Sequence, residues 1–89
     1  MRTDFKKSFA RDLRTRRKDQ DFLTRIKNSI KDVEQAESTA NIANLKKLKG
    51  ESKYFRIRSG DYRIGIIIEE GGVTFIRALH RKDIYQYFP

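Results

Sequence analysis

The sequence predicts an α+β fold in which two N-terminal helices pack on one face of a small antiparallel sheet of three to four strands. Apolar residues recur with helical spacing in the first half of the chain and with a period of two in the second half. All five glycines lie from position 50 onward, where hairpin turns need them. The 89 residues are the length of one domain, so we assign residues 1–89 to a single unit.

The first helix is predicted over residues 4–17. Phe5, Phe9 and Leu13 recur at i, i+4 and i+8, which places them on one side of a helix. Asp4 comes just before this apolar stripe. It is a suitable N-cap, because its carboxylate can accept hydrogen bonds from the free N–H groups of the first turn.

The second helix is predicted over residues 19–37. Asp19 is its expected N-cap, and Asp21 adds negative charge to the first turn, where the helix dipole is positive. Four apolar residues at i, i+4, i+8 and i+11 form its buried side: Phe22, Ile26, Ile30 and Val33. Residues 38–44 then have the composition of a loop, and residues 45–50 form a short apolar and basic stretch that ends at a glycine.

The second half is predicted to form three strands joined by two hairpin turns. The first strand covers residues 54–58, where apolar and basic side chains alternate. After a turn at 59–62, residues 63–69 form a strand whose three successive isoleucines fit a central position covered on both faces. A turn at 70–73 leads into the third strand, 73–79, and a single helical turn is predicted after it.

The first hairpin predicts a sheet face that carries arginines. Pairing Arg58 with Arg63 places Arg56 opposite Gly65, while the apolar residues meet on the other face and are covered by the helices. Gly65 would then leave a gap through which the backbone of a ligand could approach. Facing arginines repel, and a bound anion would offset that repulsion. The alternative is that these arginines are solvated and prevent edge-to-edge aggregation.

The second hairpin predicts where the single histidine lies. Pairing Glu70 with Val73 places His80 opposite Arg63, on the arginine face, with Arg81 next in the chain. The same register places Arg77 on the apolar face, from which its long side chain would have to reach solvent past the helices. The arginine face would thus include a side chain that titrates near neutral pH.

Charge and composition limit the classes of partner and site. The chain carries 21 Lys and Arg against 12 Asp and Glu, and this net charge of +9 favours nucleic acid, an anionic membrane or an acidic protein as partner. With no cysteine and one histidine, the sequence lacks the residues for a disulfide framework or a multi-histidine site. We therefore expect no metal and no cofactor. No apolar run approaches the roughly 20 residues that cross a membrane, and no signal region is visible, so we expect no membrane partner and a cytoplasmic location.

Three motifs follow one another in the second half of the chain. They are the stretch ending in L-K-G at residues 45–50, R-x-R-x-G-D-Y-R at 56–63 and H-R-x-x-x-Y at 80–85. Their order and spacing, over residues 42–85, resemble the RelE/ParE superfamily of toxins from bacterial type II toxin–antitoxin modules. The resemblance implies a RelE-like α+β fold, which agrees with the fold predicted from the periodicity. Such toxins usually open with a strand, for which Met1–Asp4 is short.

The superfamily divides in function, and the resemblance to its RelE-like members implies an endoribonuclease, or mRNA interferase. Such members cut mRNA in the ribosomal A site, inhibit translation and are held inactive by an antitoxin, so the expected partners are a cognate antitoxin, mRNA and the ribosome. ParE-like members inhibit DNA gyrase without a nuclease site, which is the alternative, together with a plain RNA-binding module. His80 followed by Arg81 favours the nuclease. RelE-like members carry lysines on the catalytic strand, where this chain has arginines. That difference favours the gyrase-inhibitor alternative.

The resemblance also implies site residues. RNA cleavage without metal needs a base for the 2′-hydroxyl, cations around the phosphate and an acid for the 5′-oxygen. The candidate catalytic residues are Arg63, His80, Arg81 and Tyr85. The candidate RNA- and phosphate-binding residues are Arg56, Arg58 and Lys53. Because arginine is a poor base, we expect His80 to be the acid–base group and Tyr85 a second proton-transfer group or a base-stacking surface.

Overall fold

The computed structural model describes residues 1–50 and 52–89. Within these residues there are three α-helices: α1 (Lys7–Thr15), α2 (Gln20–Gln35) and α3 (Ile84–Tyr87). Helices α1 and α2 correspond to the two predicted helices, and α3 corresponds to the predicted helical turn near the C-terminus. No helix of the two described ranges is long and apolar enough to cross a membrane.

Five strands form one sheet in the described part of the chain. They are β1 (Arg2–Phe5), β2 (Leu45–Lys47), β3 (Tyr54–Ser59), β4 (Tyr62–Glu69) and β5 (Gly72–His80). The strand order is β1-β5-β4-β3-β2; β1 runs parallel to β5, and the other neighbours are antiparallel. The α+β class is confirmed. The prediction of a purely antiparallel sheet of three to four strands is wrong, because β1 and β2 add an edge strand on each side.

Strand β1 lies where the sequence predicted the start of the first helix. Phe5 precedes Phe9 by four residues and therefore imitates a helical stripe. It reaches the same apolar cluster from a strand, with its ring centroid 5.2 Å from that of Phe75 and 5.7 Å from that of Phe9. Asp4 is paired with Thr74 in the sheet and does not cap α1.

The β3–β4 hairpin has the predicted register. Arg58 lies opposite Arg63, and Arg56 lies opposite Gly65. Successive side chains of a strand point to opposite faces of the sheet, so this register brings the arginines of both strands to one face.

The β4–β5 hairpin has a different register from the predicted one. Its turn consists of Glu70 and Gly71, which both have positive φ, 50° and 78°, and Glu69 pairs with Gly72. This offset from the predicted pairing is two residues, which leaves the faces unchanged. An irregularity after Gly65 then shifts the register back by one residue, and the net offset of one that remains reverses the faces.

The reversal moves the histidine away from the predicted face. His80 pairs with Tyr62, and Arg63 pairs with Leu79. The prediction that His80 lies opposite Arg63 is therefore wrong. Because Tyr62 and Arg63 are consecutive in β4, His80 lies on the helix-covered side of the sheet and Arg63 on the other side.

A buried ion pair fixes α1 to β5. Asp12 accepts hydrogen bonds from the Arg77 Nε at 2.8 Å, the Arg77 Nη2 at 3.0 Å and the backbone N–H of Ala78 at 2.9 Å. The Ser8 hydroxyl donates to the carbonyl of Ile76 at 2.6 Å. The shifted register thus gives Arg77 a carboxylate partner on α1, and the side chain does not have to cross the apolar face as the predicted register required.

The sheet is covered by apolar clusters on both faces. The main core lies between the sheet and the first two helices, and its largest buried members are Phe9, Phe22, Ile26, Ile64, Ile66 and Phe75. A smaller cluster packs around α3 on the opposite face: Leu48, Ile84 and Phe88, with Tyr54, Ile76 and Leu79 against it. Polar side chains occupy the rest of the sheet face that lies opposite α1 and α2.

Gly65 does not open the predicted gap for a ligand, because the ring of Phe88 occupies that space. A Cβ at Gly65 would lie 2.6 Å from the Phe88 Cγ. We expect Gly65→Ala to lower the free energy of unfolding by about 1–3 kcal/mol, since a packed ring must move. Gly72→Ala is the matched control in denaturant unfolding, because its Cβ would meet only the end of the flexible Arg2 side chain. Equal losses in the two variants would contradict this explanation.

Asp19 connects α2 to β4. Its carboxylate accepts from the backbone N–H of Phe22 at 3.0 Å, which confirms the predicted N-cap, and from the hydroxyl of Tyr62 at 2.7 Å. The hydrogen bond from Phe22, followed by that from Tyr62, lowers the pKa of Asp19 below its ordinary value of 3.8.

This pKa predicts an acid-dependent loss of stability. The folded-state value is the lower one, so the charged carboxylate stabilises the fold above about pH 4, and the contribution is lost as the pH falls through the folded-state value. Asp19→Asn is expected to flatten the acid limb when the free energy of unfolding is measured against pH. Tyr62→Phe removes one of the two hydrogen bonds and should flatten it in part. An acid limb identical to that of the wild type in both variants would refute the assignment.

Candidate nucleic-acid interface

Four arginines come together near the turn that joins β3 to β4. We call them the arginine cluster: Arg56, Arg58, Arg63 and Arg81. The first two come from β3, the third from β4 and the last from the residue that follows β5. Ile57 and Ile64 belong to the main core, so the strand arginines beside them point to the face away from α1 and α2.

Arg63 is at the centre of the cluster electrostatically. Burial lowers the pKa of its guanidinium, and the charges of Arg56 and Arg58, with a smaller contribution from Arg81, lower it further. An electrostatic contribution from Tyr85 raises the pKa of the same guanidinium. An arginine remains protonated at neutral pH, so the lowered pKa means that its positive charge is disfavoured, first by burial and then by repulsion from its neighbours. A bound anion would relieve that repulsion.

Backbone carbonyls hold two of these arginines in place. The Arg63 Nη1 donates to the carbonyls of Gly60 at 2.8 Å and Tyr62 at 3.0 Å. The Arg56 Nη1 donates to the carbonyl of Asn44 at 3.2 Å. The Arg56 Nε is buried and has no hydrogen-bond partner among the described residues.

The β3–β4 turn also positions Arg81. Its backbone N–H donates to the carbonyl of Asp61 at 2.7 Å, and its Nε lies 3.8 Å from the Asp61 Oδ1. Both side chains are exposed, and an exposed ion pair of this kind contributes little to stability. The turn therefore fixes the backbone of Arg81 while its guanidinium stays accessible to a ligand.

Helix α3 presents two exposed tyrosines. Tyr85 is 62 % exposed and Tyr87 is 54 % exposed, although the helix is anchored by the buried Ile84. The Tyr87 ring lies 5.6 Å from the Arg77 Cζ, whereas Tyr85 belongs to the surroundings of Arg63. Exposed aromatic rings beside cations are the arrangement on which unpaired bases stack.

His80 makes contacts of a different kind. Its ring lies edge-on to that of Tyr62, with 5.9 Å between centroids, and its Nδ1 accepts a hydrogen bond from the backbone N–H of Lys82 at 3.2 Å. This places it among groups that face α2 and not beside Arg63. Its role as the acid–base group remains a prediction from the sequence.

Lys53 lies at the far end of β3 from the arginine cluster. Its Nζ is 4.0 Å from the Glu69 Oε2 and 6.0 Å from the centroid of the Tyr54 ring. The lysine thus has an acidic neighbour of its own, and its predicted role in RNA binding stays a prediction.

One cation near the cluster was missed in the sequence. Arg25 of α2 reaches the β3–β4 turn, where its guanidinium lies against Gly60. In the sequence it forms an i,i+4 pair with Asp21 and has the pattern of a solvated helix side chain. The pattern gives no signal for this contact, because it depends on how α2 packs across the sheet.

The full length of the chain is similar to a known toxin. No family model matches the sequence. It is 40 % identical over 90 residues to Toxin RelE3 of Methanocaldococcus jannaschii, with all of both chains covered. The chain belongs to the RelE toxin family.

Solved RelE-type structures share the fold. The RelB–RelE antitoxin–toxin complex from Methanococcus jannaschii matches with a TM-score of 0.79 and 40 % identity, covering 97 % of this chain and 99 % of that one. The YoeB dimer from Staphylococcus aureus matches with a TM-score of 0.72 at 14 % identity, covering 90 % and 95 %. The DinJ–YafQ complex from E. coli matches with a TM-score of 0.65 at 12 % identity, covering 96 % and 99 %. At such low identity, the last two show the fold alone.

In this member of the RelE family, five of the seven candidate residues lie in one place. Arg56, Arg58, Arg63, Arg81 and Tyr85 share the sheet face and the end of the sheet where the β3–β4 turn lies. The remaining two, the histidine and the lysine, lie elsewhere. The place is rich in fixed positive charge and has an aromatic hydroxyl beside it, which suits a phosphodiester more than any neutral ligand.

Proposed function

We propose that this protein is the toxin of a type II toxin–antitoxin pair and that it inhibits translation by cutting mRNA at the ribosome. The single observation that carries the proposal is the β3–β4 register, which brings Arg56, Arg58 and Arg63 to one face, with Arg81 and Tyr85 near enough to act on the pKa of Arg63. Such a cluster is costly in the absence of an anion and is typical of a site that holds a phosphate.

The proposed reaction is transesterification within the RNA. The 2′-oxygen attacks the adjacent phosphorus, the bond to the 5′-oxygen breaks, and the products carry a 2′,3′-cyclic phosphate and a 5′-hydroxyl. Negative charge grows on the phosphoryl oxygens as the bonds change, and Arg63 with its arginine neighbours would stabilise it. These guanidinium groups supply the positive charge, so the proposed step needs no metal ion bound to the toxin.

Proton transfer is proposed for Tyr85. A phenol is protonated at neutral pH and can therefore donate a proton to the departing 5′-oxygen. Tyr85 is exposed and near enough to Arg63 to act on the pKa of its guanidinium, whereas His80 contacts Tyr62 on the other side of the sheet. The proton of the 2′-hydroxyl passes to a water molecule of the solvent, and the arginine charges favour this transfer by stabilising the alkoxide; Tyr85 takes its own proton back from solvent after the 5′-hydroxyl has left.

An antitoxin is the proposed protein partner. One of the similar structures, RelB–RelE, is a complex of a toxin with its antitoxin. A net charge of +9 favours an acidic segment in such a partner. Because its substrate would be mRNA on ribosomes, the toxin would act in the cytoplasm.

Expression of the gene alone in a bacterium, followed by an in vitro translation assay, tests the proposal. We expect growth arrest, rescue by co-expression of the adjacent small open reading frame, and mRNA fragments that end in a 2′,3′-cyclic phosphate. A gyrase supercoiling assay runs in parallel. Inhibited supercoiling without RNA cuts would replace the proposal by a ParE-like function, and RNA binding without either effect would reduce it to a binding module.

A further inference from the structure

A groove of about 670 Å³ leads from the arginine cluster to α2. On one side it is lined by the β3–β4 turn with Arg58, Arg63 and Arg81. On the other side it is lined by Arg25 and Asn28 of α2 and by Asn44, which precedes β2. The groove thus extends the site described above toward a second set of polar side chains that the proposed reaction does not use.

Arg25 is held at this groove by a glycine. Gly60 has a φ of 60°, and a Cβ there would lie 2.7 Å from the Arg25 Cζ and 2.8 Å from its Nη1, so only glycine lets the guanidinium lie against the turn. The Arg25 Nε donates to the Asp21 Oδ2 at 3.0 Å, which fixes its direction, and 42 % of the side chain remains exposed. The carbonyl of the same glycine accepts from the Arg63 Nη1 at 2.8 Å. A single residue therefore separates the two arginines.

The backbone of Asn44, on the same side of the groove as Arg25, is also held in position. Asn44 has a φ of 61°, and its carbonyl accepts from the backbone N–H of Arg58 at 3.2 Å and from the Arg56 Nη1 at 3.2 Å. The arginine cluster itself thus fixes the residue that carries this amide. Carboxamide side chains offer both donors and acceptors, which is what the edge of a base requires.

We propose that this groove is a second nucleotide subsite, in which Arg25 binds the phosphate next to the scissile one. The amides of Asn28 and Asn44 contact the base of that nucleotide. The inference rests on the proposed function, because it takes the arginine cluster to hold the scissile phosphate. With this subsite, the protein binds at least two successive phosphates and contacts the base of one neighbouring nucleotide.

The test compares RNA ligands of two lengths. The probes are a dinucleotide with one phosphate and a tetranucleotide with three, both 2′-O-methylated so that the attacking hydroxyl is blocked. Binding is followed by NMR titration for the wild type, for Arg25→Gln and for Arg11→Gln, which removes the same charge from an exposed position on α1. We expect Arg25→Gln to weaken the tetranucleotide about tenfold and to leave the dinucleotide unchanged, since a charge-assisted hydrogen bond is lost only with the longer ligand.

Salt dependence and base identity provide two further readouts. The slope of log K against log salt for the tetranucleotide should fall in magnitude by about 0.7 in Arg25→Gln, as for one lost phosphate contact. Asn28→Ala should make tetranucleotides that differ in the terminal base bind more alike. Tetranucleotide binding that is the same in Arg25→Gln as in the wild type, or equal weakening by Arg11→Gln, would overturn the subsite. If the wild type binds neither ligand, the proposed function itself fails.

Discussion

Arg63→Ala is expected to lower the rate of mRNA cleavage about 10²–10³-fold, the usual loss when a preorganised group that stabilises transition-state charge is removed. The side chain is held by two carbonyls and lies among three further arginines, so its charge is fixed where the phosphate is expected. Arg56 cannot take its place, because its guanidinium is hydrogen-bonded to the carbonyl of Asn44.

The measurement is the rate of cleavage of a ribosome-bound message by purified variants. Arg63→Lys keeps the charge without the bidentate geometry and should recover part of the rate. Arg11→Ala removes one positive charge from α1 and should cut at nearly the wild-type rate. If Arg11→Ala and Arg63→Ala lose the same activity, the effect is one of net charge and the site lies elsewhere.

Tyr85→Phe is expected to lower the rate about 10²–10⁴-fold, the range for loss of an acid–base group, with little change in stability. The substitution removes only the hydroxyl group, and the ring is exposed, so the packing of the core does not change. Tyr87→Phe is a matched control, because it makes the same change on the same helix at a residue that contacts Arg77 instead.

The leaving group distinguishes proton donation from base stacking. A substrate with sulfur in place of the bridging 5′-oxygen releases a thiolate, which needs no proton, so Tyr85→Phe should cut it nearly as fast as the wild type does. His80→Gln is measured beside it, because the sequence predicted the acid–base role for this residue. A large loss in His80→Gln, with Tyr85→Phe unaffected, would return that role to the histidine.

The part of the site that the sequence predicted correctly depends on a single short turn. Arg58 and Arg63 flank the four residues of the turn, 59–62. Side chains alternate between the two faces on either strand, so only one pairing register buries the isoleucines. The three strand arginines therefore reach a common face by local rules alone. The presence of Arg81 beside them follows from the next hairpin and from its contact with the turn.

The position of His80 could not be predicted, because it depends on a one-residue irregularity. Both glycines after Glu70 can occupy a turn, and only the structure shows that Glu70 and Gly71 form it. The irregularity beyond Gly65 then reverses the faces, and a glycine inside a strand is compatible with a bulge but equally with a close approach of another group. Strand β1 was missed for a related reason, since Phe5 fits a helical stripe as well as a strand.

The parallel pairing of β1 with β5 has a consequence for biosynthesis. Arg2 is the partner of Gly72, so the first strand finds its neighbour only after about four-fifths of the chain exists. Such distant pairings form slowly, because the chain loses the entropy of closing the intervening loop before any stabilising contact is made. Arg81 and Tyr85 lie beyond β5 in the chain, so the cationic face, like the β1–β5 pairing, can be completed only after that later part has been synthesised.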